Sequence, residues 1–180
     1  MALRVDLADV EATEALGAAF AHEVRRGDVI FLRGELGSGK TSLARGFLRR
    51  FFGNPALDVP SPSYLLHFVY RGGDAAPAPT PAPQPQPGAS QDGASAAQRA
   101  AAAAVPFQAG ASSLVPGCPV HHVDPYRLPE GKIAALVDFE AVFADVALVE
   151  WPERLGEQLV AAERPPRLEV TFEGFGPQAE

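Results

Sequence analysis

Apolar and polar positions alternate at Leu3, Val5 and Leu7, which predicts a short first strand. Asp9 can cap a helix over about 10–25, with Leu16, Phe20 and Val24 on one face. The apolar run from Asp28 to Arg33 follows a Gly-Asp turn and reads as a buried parallel strand. After a glycine-rich turn over Gly34 to Gly39, Leu43, Phe47 and Phe51 recur four apart and predict a helix from Lys40 to about Phe52, stopped by Gly53-Asn54-Pro55. Tyr64 to Tyr70 and Val120 to Asp124 read as strands, Ile133 to Phe143 as a helix, and Val146 to Val149 as a strand. Pro152 sits where a first-turn proline would, opening a helix to about Val160, and Arg167 to Phe172 is a last strand. Strands alternating with helices predict an α/β fold with a mostly parallel sheet and helices on its faces.

Composition changes this picture at one place. From Gly72 to Gly117 the chain is mostly Ala, Pro, Gln, Gly and Ser, with prolines at alternate positions from Pro77 to Pro87. Such a run forbids helix, and its few large apolar residues cannot offset its ordering entropy. The stretch 72–117 is therefore expected to be a disordered insertion within a single domain spanning 1–180, acting as a spacer. The rest is ordinary for a globular chain, with 47% apolar and 21% charged residues. A net charge of −7 argues against a free-standing nucleic-acid binder, which would want a basic surface. No apolar run is long enough to span a bilayer, the N-terminus lacks a signal-like pattern, and a single cysteine, Cys118, allows no internal disulfide. A cytoplasmic location is expected, or an organellar one for a eukaryotic source.

Gly34-Glu35-Leu36-Gly37-Ser38-Gly39-Lys40-Thr41 satisfies G-x-x-x-x-G-K-[ST] in full. Gly34 and Gly39 let the backbone turn tightly and approach an anion, so that its N–H groups line a nest at the positive end of the following helix. Lys40 can reach the β- and γ-phosphates and the Thr41 hydroxyl can ligate Mg2+. The chain has only two lysines, Lys40 and Lys132, and one of them stands at the motif's required position. The motif lies between an apolar strand and an amphipathic helix, as a P-loop NTPase-like fold requires. Neither lysine sits in a guanine-reading pattern, which favours ATP.

A second metal contact and a water-organising group should come from neighbouring strand ends, where ligands of such sheets bind. Asp124 and Glu150 each end a predicted strand. Asp138 also follows apolar residues, but Leu136, Phe139, Val142 and Phe143 recur with helical spacing, which puts it on a helix surface. Cys118, His121, His122 and Asp124 are close together, yet adjacent strand residues point to opposite faces, so a transition-metal site is not favoured. Arg45, Arg49 and Arg50 on the helix after the loop read as a solvated face, with a partner or RNA contact as the alternative. Trp151, the only tryptophan, could line a nucleotide pocket.

Taken in order, Gly34 to Thr41, Ser61-Pro62-Ser63-Tyr64, His122-Val-Asp124-Pro-Tyr126-Arg127 and Val149-Glu150-Trp151-Pro152-Glu153 resemble the TsaE (YjeE) family from about residue 9 to 172, the insertion apart. These are small P-loop ATPases of tRNA threonylcarbamoyladenosine synthesis. The resemblance implies ATP and Mg2+ as cofactors. It implies nucleotide contacts from Glu35, Leu36, Gly37, Ser38, Gly39, Lys40, Thr41, Ser42, Ser63 and Trp151, and metal contacts from Thr41, Asp124 and Glu150. Lys40, Asp124 and Glu150 would serve hydrolysis, and the Ser61–Tyr64 loop would act as a switch near the γ-phosphate. It also implies TsaD and TsaB homologues as partners, with tRNA reached through that complex and no membrane. Glu35 stands for the commoner Asp and Ser63 for Thr, each keeping the chemical group; Pro125 stiffens the chain beside Asp124. The insertion joins two strands that a short turn normally connects. Two other readings of the loop are a small-molecule kinase, for which no Arg-dense lid is evident, and a non-hydrolytic ATP-gated binding module.

Overall fold

The computed structural model describes residues 3–72, 78–79, 114–156, 159 and 167–174. Six strands form one sheet: β1 (Val29–Arg33), β2 (His67–Tyr70), β3 (Ala78–Pro79), β4 (Val120–Val123), β5 (Val146–Glu150) and β6 (Arg167–Thr171). The order is β3-β2-β4-β5-β1-β6. β4, β5, β1 and β6 run parallel, while β2 is antiparallel to both β4 and β3. The mostly parallel α/β sheet expected from the periodicity is present, and its glycine-rich loop joins β1 to a helix, the P-loop NTPase-like arrangement.

Two helices, α1 (Val10–Glu23) and α2 (Lys40–Phe51), cover one face of the sheet. Asp9 caps α1 through Oδ1, which accepts the Ala12 N–H at 2.7 Å. Leu43, Phe47 and Phe51 of α2 are fully buried with Leu32, Val120 and Leu148 from the strands. The two helices touch through glycines: a Cβ on Gly17 would lie 2.0 Å from the Leu43 carbonyl oxygen, and one on Gly46 would lie 1.9 Å from that of Glu14. On the opposite face Val29, Phe31, Val123, Ala147 and Val149 pack under Ile133, Leu155 and a short helix, α3 (Phe139–Ala144). Alternate residues of β1 and β5 thus feed two cores, which is why β5 is buried throughout and β1 as far as Leu32.

Four expected elements differ. Residues 3–8 form no strand, and Leu3 and Val5 stay exposed: three alternating positions make a strand only where a neighbouring edge supplies hydrogen bonds. The strand placed over Tyr64–Tyr70 starts at His67. Pro62–Tyr64 is a single 3-10 turn, and Leu66 takes φ +66°, a left-handed geometry that interrupts extension. The Ile133–Phe143 helix splits into a 3-10 turn (Lys132–Ala135) and α3, because Asp138 accepts the Glu140 and Ala141 N–H groups and starts a new helix. After Pro152 a 3-10 turn (Pro152–Leu155) ends at Gly156; residues 157, 158 and 160 lie outside the described ones.

Most of the 72–117 stretch, and with it the expectation of disorder, lies outside the described residues. The parts that are described depart from that expectation: Ala78–Pro79 pair with β2 as β3, the Leu114 N–H donates to the Phe51 carbonyl at 2.8 Å, and Val115 packs on the α2 core. The stretch departs from the end of β2 and returns to β4, whose Tyr70 and Val120 are paired. Among the described residues, no helix is long and apolar enough to cross a membrane.

Candidate phosphate-binding site

The carboxyl ends of β1, β4 and β5 lie side by side, and the chain leaves each through a polar segment. β1 leads into the 34–39 loop, where Gly34 takes φ +141° and Gly39 φ +105°. A Cβ on Gly34 would meet Phe172 Cβ and Ser38 Oγ at 2.8 Å, so the tight turn excludes other residues. The loop opens α2 with Gly39 as its cap and no side-chain acceptor, leaving the first-turn N–H groups at the positive end of the helix. Glu35, Leu36 and Gly37 are exposed at the loop's crest; Ser38, Gly39 and Ser42 are half-buried.

Lys40 is 4% exposed and folds over the loop that precedes it. Its Nζ donates to the carbonyls of Gly34 (2.8 Å) and Glu35 (2.6 Å) and sits 3.4 Å from Ser38 Oγ. It also lies 4.1 Å from the centre of the Trp151 ring. Burial lowers the ammonium's pKa from its ordinary value, while the charges of Glu150, Asp124 and Glu153 push it back up.

Thr41 Oγ1 donates to Glu150 Oε1 at 2.8 Å, joining α2 to the end of β5. The same oxygen is 2.9 Å from His122 Nε2 on β4. Asp124, one residue past β4, accepts the Tyr126 N–H at Oδ1 (2.9 Å). Its Oδ2 accepts the Ser63 hydroxyl and lies 3.5 Å from Ser61 Oγ, and the two serine oxygens are 2.8 Å apart. Burial raises the Asp124 carboxyl above the usual carboxylate range, and the Ser63 and Tyr126 hydrogen bonds hold it down in part. Trp151 adopts φ +51°, ψ +51°, uncommon for a bulky residue. This turn brings its ring against Tyr126, tilted by 36° with centres 4.7 Å apart, and under Lys40. The Arg127 guanidinium lies 4.1 Å from the ring centre of the exposed Tyr64.

Lys40, Thr41, Ser63, Asp124, Glu150 and Trp151, distant in sequence, therefore meet at one edge of the sheet. Thr41, Asp124 and Glu150 supply hard oxygen donors of the kind Mg2+ selects. Asp138 lies elsewhere, capping α3. Arg45 and Arg49 both pair with Glu14 at 3.2 Å, and Arg50 donates to His22 at 2.7 Å. The Cys118–Asp124 cluster parts: His121 pairs with His67 at 2.8 Å, His122 turns to Glu150, and Cys118 Sγ faces the Pro119 carbonyl. Among the described residues no three His, Cys, Asp or Glu side chains gather to hold a metal by themselves. Sequence reasoning gave Ser61 a place only within the 61–64 switch loop and assigned no role in the site to His122. The signal for His122 was available: it stands two residues before Asp124, so strand alternation gives both the same face.

Comparison with known proteins places this geometry among relatives. The family model described as "Threonylcarbamoyl adenosine biosynthesis protein TsaE" matches residues 7–78. The tRNA threonylcarbamoyladenosine biosynthesis protein TsaE of Mycobacterium leprae is 30% identical over 171 residues, covering 89% of this chain and 78% of the relative. The Mycobacterium tuberculosis protein of the same name is 29% identical, with 89% and 74% covered. That of Synechocystis is 39% identical over 67 residues, 37% of this chain and 41% of the relative. A solved structure titled "Crystal structure of Bacillus subtilus YdiB" aligns with 93% of this chain and 74% of its own at 20% identity and a TM-score of 0.45.

Proposed function

The chain belongs to the TsaE family of tRNA threonylcarbamoyladenosine biosynthesis, and from that premise we propose that it binds ATP with Mg2+ at the 34–41 loop and hydrolyses it. The observation that carries the proposal is the Thr41–Glu150 hydrogen bond of 2.8 Å beside the buried Lys40. It sets a hydroxyl, a carboxylate and an ammonium beside the 34–39 loop. Each has a distinct task. Lys40 exchanges the Gly34 and Glu35 carbonyls for phosphate oxygens, and the backbone from Glu35 to Gly39 donates its N–H groups. Thr41 and Asp124 would hold Mg2+, with Glu150 beside them; when bound, the ion neutralises charge on the phosphate oxygens. Glu150 orients a water and takes its proton, and the Trp151 ring flanks the nucleotide. Ser63 and Ser61 leave Asp124 when its carboxylate turns to the metal, which makes 61–64 the segment that senses loading. Ser42 adds a second hydroxyl at the helix start. Phosphoryl transfer to water depends on positioning and charge more than on covalent chemistry, so this set suffices.

Hydrolysis serves, in this proposal, a complex of TsaD and TsaB homologues that modifies adenosine 37 of tRNA. A net charge of −7 fits a protein that reaches tRNA through others. The test is reconstituted threonylcarbamoyladenosine formation with cognate partners, with and without the protein and with Lys40→Ala. Multiple turnover should require the wild-type chain and fail with the variant. Indifference to the protein would refute the partnership, and phosphorylation of a small acceptor in its place would establish the kinase reading.

A further inference from the structure

The roles above leave the His122 imidazole unused. It is fully buried on β4, yet its environment is not the apolar one its burial suggests. Nε2 lies 2.9 Å from Glu150 Oε1, the oxygen that also accepts the Thr41 hydroxyl, whereas Nδ1 is buried and without a hydrogen-bond partner among the described residues. An ionised carboxylate only accepts, so the hydrogen sits on Nε2. Nδ1 has no such partner among the described residues, so the ring's bond to the site runs through Nε2 to Oε1. A leucine would fill the same space without desolvating a ring nitrogen.

We infer that His122 is a positioning residue for Glu150: its Nε2–H fixes Oε1, so that the carboxylate keeps its orientation when Thr41 turns to the metal. The register supports this. His122 pairs with Leu148, Glu150 is the next residue on the same face of β5, and the bond crosses two adjacent parallel strands inside the sheet. A donor mounted on a strand holds its aim better than one on a loop. This inference rests on the hydrolysis proposed above.

The experiment compares His122→Gln, whose amide nitrogen can replace Nε2, with His122→Asn, whose shorter amide cannot, and with His122→Leu. ATP affinity and partner-dependent turnover are measured for each. Gln should restore turnover to within about threefold of wild type, while Asn and Leu should lower kcat by about ten- to a hundredfold, the scale of a lost bond to a charged group. ATP affinity should change less than about twofold, because a positioning bond that acts in the chemical step leaves ground-state binding alone. In a Glu150→Gln background, His122→Leu should cost nothing further. Wild-type turnover in the Asn variant, equal losses for Gln and Asn, or losses that multiply with Glu150→Gln would overturn the inference. If Leu fails to fold, the Gln–Asn pair decides. If the wild-type chain hydrolyses no ATP, the functional proposal falls and nitrogen NMR of the imidazole decides this one separately. A hydrogen on Nε2 whose signal shifts in Glu150→Ala supports it, and a ring with its hydrogen on Nδ1 alone refutes it.

Discussion

At the residue scale, the site turns on side chains whose neighbours change their chemistry. Lys40 is buried against two carbonyls, and its loss removes the one ammonium on the 34–41 loop. Lys40→Ala should therefore abolish measurable ATP binding by calorimetry while leaving the unfolding midpoint little changed, since the lysine's hydrogen bonds all go to its own loop and the Trp151 ring contact is weak. A second pair sits on the opposite face of the sheet. His67 and His121 are buried, with His67 Nε2 2.8 Å from His121 Nδ1 and His121 Nε2 3.5 Å from Asp145. Burial, together with the charges of His121 and His122, pushes His67 down to about 3. The unfolded chain takes up a proton near 6.5 and the folded one only near 3, so stability rises with pH across this window and is lost as pH falls below 6.5. By linkage His67 alone costs about 2 kcal/mol at pH 5. Urea unfolding at pH 7 and pH 5 should show wild type losing more stability than His67→Gln; equal losses would mean that the pair does not set the acid limit.

At the scale of elements, what was legible depended on who supplies the partner. α2 could be read because its apolar period and the glycine-rich loop before it agree, and β1 and β5 because a strand buried on both faces leaves a continuous apolar run. The Leu3–Leu7 alternation looked equally good and formed nothing, because a strand's hydrogen bonds lie outside its own sequence. The α1–α2 crossing was not legible at all. Gly17 and Gly46 are mid-helix glycines, and by propensity alone alanine would gain about 1 kcal/mol at each. In the folded chain the added methyl would meet a main-chain carbonyl at 2.0 or 1.9 Å. Gly46→Ala should thus destabilise by about 2 kcal/mol or more, read by chemical denaturation. A neutral or stabilising result would mean that the helices can move apart freely.

At the scale of the whole molecule, the site is an edge where segments far apart in sequence converge, and the strands that bracket the long stretch, β2 and β4, are separated from β1 and its loop by β5. Replacing the 34 residues from 80 to 113 with a Gly/Ser linker of about ten shortens the loop to be closed. The variant should be as stable as wild type or more so by about 1 kcal/mol, with ATP affinity unchanged. Extending the deletion through Gly117 removes the Leu114–Phe51 bond and the Val115 packing and should cost stability. Thermal unfolding of the two deletions, with ATP binding measured on each, separates a spacer from a structural segment.

By itself the sequence determined what is local. The loop 34–41 with Lys40 and Thr41, the alternation of strands and helices, the acids Asp124 and Glu150 at strand ends, and the order of four motifs all depend on residues near one another in the chain. The tertiary structure alone decided what depends on partners from elsewhere. It put Thr41 and His122 on one oxygen of Glu150, and it set the Ser61–Ser63 pair on Asp124. It stacked Trp151 under Lys40, and it set α1 against α2 at glycine distance. The physical reason is that hydrogen bonds and van der Waals contacts act over a few ångströms of space, whereas a single sequence records only separation along the chain.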